Sequence, residues 1–143
     1  VASLAQSRPT RDPAPAPGHR VYLGDTMGEM PFYYAACDVA MIGGSFAPLG
    51  GQNLIEALAA GAPVVLGPSM FNFAEATRLA LEAGAAIQAV DAASAVMQAL
   101  ELIRNDRQRR RMADAGRKLC LAHRGATQRH LALIAQVTAP ARG

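Results

Sequence analysis

The chain has 143 residues, 51% of them apolar, which is enough for one domain with a real core and too few for two of ordinary size. No apolar run approaches the roughly 20 residues that span a bilayer, and the first residues do not read as a signal peptide. Cys37 and Cys120 stand far apart with no C-x-x-C, which argues against a disulfide framework or a zinc site and for a reducing compartment.

The first twenty residues hold at best one strand, Val1–Ala5, and then four prolines between Arg8 and Gly18 that read as an extended surface connection. From Val21 the pattern is regular. Val21–Leu23 reads as a short strand stopped by Gly24. Thr26 and Glu29 have the T-x-x-E spacing of a capping box, which predicts a helix from about Met27 to Ala36. Val39–Ile42 is a wholly apolar strand of the kind covered on both faces of a parallel sheet. A glycine-rich loop follows, then a helix from about Asn53 to Ala60 that Gly61 ends.

Pro63–Gly67 reads as the next buried strand. Asn72 and Glu75 form a second apparent box, opening a helix to about Ala83 that Gly84 stops. Ala85–Val90 reads as a strand. Asp91 or Ser94 caps a helix reaching Ile103, Asp106 caps another reaching about Ala122, and a last helix is expected over Thr127–Val137. Short apolar strands alternating with capped helices predict an α/β, Rossmann-like three-layer domain with a mainly parallel sheet. The weak opening reads as a domain whose first part is cut away.

Nine of the fourteen basic residues fall between Arg104 and Arg129, against Asp106 and Asp114 alone. A solvated face of C-terminal helices accounts for this better than an anionic partner such as a membrane surface. No aromatics are interleaved as single-stranded nucleic acid would want, so no nucleic-acid partner is expected.

Ligands of open α/β sheets sit beyond the carboxyl ends of the strands. Three loops leave such ends: Gly24–Met30, Gly43–Asn53 and Gly67–Phe73. Each is rich in glycine and small polar residues and feeds a helix start, where backbone N–H groups and the helix dipole suit an anion. The glycine pairs at 43–44 and 50–51 are thus expected to admit a phosphate. Glu56 lies three residues after Asn53, among Leu54, Ile55, Ala57 and Leu58. A carboxylate buried there needs a partner, and the vicinal hydroxyls of a ribose would supply two donors. Helix-dipole stabilisation and a loop amide are the plainer alternative.

Other chemistries fit less well. Gly43–Ala47 lacks the last glycine of a G-x-S-x-G elbow, so Ser45 is a poor nucleophile. There is no Walker A lysine, no strict G-x-G-x-x-G and no D-x-D. Cys120 and His123 share a helix face without further metal ligands, so neither a metal nor a cofactor is expected. Asp25 and Glu29 can do acid–base work, and capping or helix-start electrostatics explains them equally well.

The run from Leu23 to Thr77, with G-D-T-M-G-E, G-G-S, G-G-x-N-x-x-E and G-P-x-x-F-N-F in that order, resembles the C-terminal domain of the bacterial 3-deoxy-D-manno-octulosonic acid (Kdo) transferases. The likeness extends from about Val21 to the end. These are GT-B glycosyltransferases that move Kdo from CMP-Kdo onto a lipid A precursor in lipopolysaccharide synthesis. The resemblance implies the C-terminal half of a GT-B fold, with residues 1–20 as a partial strand and connection. Residues 21–143 would then form the donor-binding domain.

It further implies that Met27, Gly28 and Glu29 line the nucleotide. Asn53, Leu54, Ile55 and Glu56 would hold CMP, with Glu56 on the ribose hydroxyls and the backbone of Gly51–Asn53 facing the phosphate. No catalytic residue is expected in this stretch, because such enzymes carry acceptor site, catalytic base and membrane anchor on an N-terminal domain. The chain alone is therefore expected to be inactive. The whole enzyme would act, without a metal, at the cytoplasmic face of the bacterial inner membrane. Gln52 and Ser69 stand where the family often has histidine. A UDP-sugar transferase or epimerase half, or a non-catalytic nucleotide-binding module, remains the alternative.

Overall fold

The computed structural model describes residues 6–7, 18–125, 131, 133–135 and 138. Its strands are β1 (Gln6–Ser7), β2 (Val21–Tyr22), β3 (Ala40–Met41), β4 (Val64–Leu66) and β5 (Ala86–Gln88). Its helices are α1 (Met30–Ala36), α2 (Leu54–Ala60), α3 (Ala74–Glu82), α4 (Ala92–Arg104) and α5 (Asp106–Ala122). Single 3₁₀ turns cover Gly43–Phe46 and Phe71–Phe73. The expected strand Val1–Ala5 and nearly all of the proline-rich connection lie outside the described residues. Of the helix expected over Thr127–Val137, residues 131 and 133–135 are described, and they are helical.

All pairings are parallel. β1 pairs with β2, Gln6 opposite Val21, and β3–β4–β5 form a separate three-stranded sheet in that order. Parallel neighbours need a crossover, and α2 and α3 supply the two in the larger sheet. The period of two along β4 then sorts the core. Val64 and Leu66 point into a cluster with Ile42, Leu54, Leu58 and Ala80. Val65 points the other way, against Ala95, Ala99 and Leu102 of α4. Helices on both faces make three layers and bury all of β4. Fully burying one leucine such as Leu54 contributes about 1.5–3 kcal/mol.

β3 departs from the expectation of two covered faces. It is the edge of its sheet, and Met41 is 41% exposed between buried Ala40 and Ile42.

Two of the expected capping boxes do not form. Helix α1 starts at Met30, three residues late, with no side-chain cap. Gly28 turns the chain to φ +85° just before it, and Pro31 favours a start at this point. Thr26 donates instead to the Glu29 carboxylate, side chain to side chain. Helix α3 also lacks a side-chain cap. Asn72 lies inside the 3₁₀ turn that precedes it and donates from Nδ2 to Leu49 O at 3.1 Å. Glu75 binds Arg78.

The Asp91–Ser94 box forms as expected, in both directions. On α5 the cap is Asn105, whose side chain accepts from Gln108 N, with Asp106 in the first turn. Gly61 ends α2 in the left-handed conformation.

Candidate functional site

The loops after β3 and β4 are one unit. Ser45 is fully buried; its hydroxyl donates to Ile42 O and accepts from Gly67 N at 2.6 Å, while its carbonyl accepts from Ser69 N at 2.9 Å. Ser69 Oγ accepts from Gly50 N at 3.2 Å, and Gly50 O accepts from Asn72 N at 3.2 Å. At the end of β5, Gln88 Nε2 donates to Gly67 O at 3.1 Å. The carboxyl edge of the sheet is thus a platform cross-tied by short polar bonds.

The second glycine pair has a reason inside the protein. Gly50 and Gly51 hold φ of +80° and +75°, and a Cβ on either would overlap the side chains of Asn72 and Phe71, or of Met70. A Cβ on Gly67 would overlap the Ser45 carbonyl. The expectation that the 50–51 pair leaves room for a phosphate is therefore corrected at the level of the side-chain space, which Met70, Phe71 and Asn72 fill.

Glu56 is also not buried. The turn of α2 sends Leu54, Ala57 and Leu58 into the core and leaves Ile55 and Glu56 facing out. Its Oε1 accepts from Asn53 Nδ2 at 2.8 Å, while Asn53 Oδ1 caps α2 by accepting from Ile55 N at 3.1 Å. The burial argument for a ligand hydroxyl on Glu56 falls, because an apolar sequence neighbourhood says little about a helix whose faces differ. What remains is an exposed carboxylate in the first turn of α2, held by a neighbouring amide. Leu54 is in the core, leaving only its backbone to face a ligand, and Ile55 leans towards α5, where its carbonyl lies 3.8 Å from Cys120 Sγ.

The first loop presents Met27, 98% exposed, then Gly28 and exposed Glu29. Tyr33 packs its ring over Gly24 and donates to Glu29 Oε2 at 2.9 Å, so Glu29 holds Thr26 and Tyr33 together. That bond to Glu29, with burial second, raises the Tyr33 phenol above its usual value. One residue on, burial and then the negative charge of Glu56 raise Tyr34. The candidate residues of the two loops thus come to neighbouring helices, α1 and α2.

Two concavities flank this edge. One, of about 590 Å³, is lined by Pro48, Pro68, Ser69, Met70, Phe71, Ala74, Thr77 and Gln88. The other, of about 570 Å³, lies between α2, α3 and the end of α5, with Ile55, Leu58, Leu79 and Leu119 inside and Glu75, Arg117 and Arg124 at its rim. Sequence reasoning missed the roles of Ser45, Ser69, Thr77 and Gln88, since short polar residues beside glycine carry no spacing signal. Among the described residues no group of three or more His, Cys, Asp or Glu could hold a metal, and no helix is long and apolar enough to cross a membrane.

Residues 15–119 match the profile of the family described as glycosyl transferases group 1. The chain belongs to that family. This group 1 glycosyl transferase chain is 55% identical over 132 residues to a 3-deoxy-D-manno-octulosonic acid transferase of Bordetella pertussis, covering 92% of this chain and 31% of the relative. It is 38% identical over 116 residues to the Haemophilus influenzae enzyme of the same name, covering 80% and 27%. It thus spans less than a third of these relatives.

A crystal structure of the C-terminal CMP-Kdo binding domain of WaaA from Acinetobacter baumannii matches with a TM-score of 0.77 at 29% identity. The match covers 81% of this chain and 61% of that one. The resemblance read from the motifs is borne out, and so is the fold: a parallel α/β domain like the C-terminal half of a GT-B glycosyl transferase.

Proposed function

We propose that this chain binds CMP-Kdo as the donor half of a Kdo transferase that passes Kdo to a lipid A precursor at the cytoplasmic face of the inner membrane. The observation that carries this reading is the likeness, in sequence and fold together, to a domain that binds CMP-Kdo. The cross-tied platform at the carboxyl edge of the sheet supports it, since ligands of such sheets sit there. On this reading residues 21–143 are the donor domain. The acceptor site and catalytic base belong to an N-terminal domain, and the chain alone transfers nothing.

Met27, Gly28 and Glu29 line the nucleotide, and Asn53, Leu54, Ile55 and Glu56 hold CMP. Glu56 keeps its second oxygen for the ribose hydroxyls while Asn53 steadies the first. Leu54 and Ile55 take part through their backbone. Backbone N–H groups stabilise the departing CMP without a metal.

Titration with CMP, UMP and AMP, followed by backbone amide shifts, tests the reading. CMP alone should move Met27–Glu29 and Gly50–Glu56, and Glu56→Gln should weaken CMP about tenfold, as loss of a charge-assisted bond does. Equal responses to UMP would instead indicate the donor half of a different nucleotide-sugar transferase.

A further inference from the structure

The cleft at the start of α3 has polar donors, apolar walls and no charged side chain lining it. Thr77 lines it, is only 6% exposed, and its hydroxyl has no hydrogen-bond partner. A buried hydroxyl left unpaired is costly, so a group that completes it from the cleft side is favoured. Ser69 Oγ already accepts Gly50 N–H, which leaves its own proton to donate elsewhere. Gln88 uses one amide proton on Gly67 O and has a second. Helix α3 begins here with no side-chain cap. The one acid of its first turn, Glu75, is drawn away to Arg78 and lines the other groove, so the positive end of the helix is not neutralised at this cleft.

Donors without acids or cations, at an uncapped helix start, suit a carboxylate with hydroxyls beside it. Pro48, Pro68 and Phe71 suit the C–H faces of a sugar ring, and about 590 Å³ holds one monosaccharide. The cleft also shares its loops with Asn53–Glu56 through the Gly50–Ser69 and Gly50–Asn72 bonds. We propose that this cleft is the subsite for the acidic sugar of the donor, with the carboxylate received by Thr77, Ser69 and the first turn of α3. The proposal rests on the donor reading above, in which the sugar is Kdo.

The test is calorimetry and amide-shift titration of the full 143-residue chain with free Kdo, with D-mannose as the uncharged control and CMP as a separate arm. Kdo should move Ser69–Thr77 and Gln88, and mannose should not. Thr77→Val should weaken Kdo about tenfold, while Thr77→Ser, which keeps the hydroxyl, should retain it. Urea unfolding of both variants establishes that they are folded. Binding of CMP without any response to Kdo overturns this subsite and leaves the donor reading standing. A Kdo response without CMP binding does the reverse. Equal response to mannose, or full Kdo binding by Thr77→Val, also overturns the carboxylate assignment.

Discussion

Two buried hydroxyls, Ser45 and Thr77, have opposite consequences at the scale of single residues. Ser45 Oγ is the acceptor for the buried Gly67 N–H, so Ser45→Ala leaves that donor unpaired and should cost about 1–3 kcal/mol. Thr77 Oγ1 serves no protein group, so Thr77→Val, nearly the same in shape, should leave stability unchanged or raise it. Urea unfolding of the two variants side by side decides the matter. A loss on Thr77→Val as large as that on Ser45→Ala would mean that Thr77 has a partner within the protein. The contrast also explains why the sequence misled about Ser45. A serine after two glycines invites comparison with a nucleophile, whereas its hydroxyl is committed at both ends to holding two loops together.

The caps at the scale of elements tell which parts of the fold were legible. Every helix and strand between Val21 and Ala122 was foreseeable from apolar runs and glycine stops, because burial against a parallel sheet demands those patterns. Caps were not, since the same spacing serves different bonds. Asp91 and Ser94 close a true reciprocal box, whereas Thr26–Glu29 bond side chain to side chain and Asn72–Glu75 turn outward to Leu49 and Arg78. What decided each case was the backbone just before the helix, a positive φ at Gly28 or a 3₁₀ turn at Phe71–Phe73, which spacing does not encode.

The site followed the same rule. The motifs placed the loops correctly, but the helical period of α2 exposed Glu56, and the third dimension made Thr77 and Gln88 neighbours.

The true box carries a pH signature. The Ser94 backbone N–H, then its side chain, hold the Asp91 carboxyl below the usual carboxylate range. A group with a lowered folded pKa stabilises fully above its unfolded value and loses that contribution as pH falls through the folded one. Acid should therefore weaken α4 below about pH 4. Asp91→Asn, an equally good cap with no charge to titrate, should show a flatter decline of melting temperature in that range. Parallel curves for the two proteins would refute the assignment. Comparing them also removes the contribution of Glu75, which Arg78 lowers in the same direction and which both share.

Over the whole molecule, charge is the property that neither the core nor the site explains. The stretch from Arg104 to Arg124 carries eight cations against Asp106 and Asp114. Arg109 reaches Asp106 at 2.9 Å and Asp38 at 3.5 Å, Arg110 reaches Asp106 at 2.9 Å, and Arg117 reaches Asp114 at 2.9 Å. Such exposed pairs contribute only about 0–1 kcal/mol each and leave the excess positive charge in place. Helical spacing puts Arg107, Arg111 and Lys118 on one side of α5, opposite the buried Met112, Ala113 and Gly116.

That face can meet an anionic surface, but it has no apolar side chain to insert, since the apolar side of α5 is in the core. Attraction to a membrane surface, part of the role proposed for the whole enzyme, would then be electrostatic alone and short in range. Screening falls to about 8 Å at physiological salt. The chain should co-sediment with vesicles rich in anionic lipid at about 20 mM salt and be released near 150 mM. Arg107→Glu combined with Arg111→Glu should abolish even the low-salt binding. Retention at high salt would mean that some apolar segment inserts. No binding at low salt would reduce the basic face of α5 to a solvated surface, as the bare sequence already suggested.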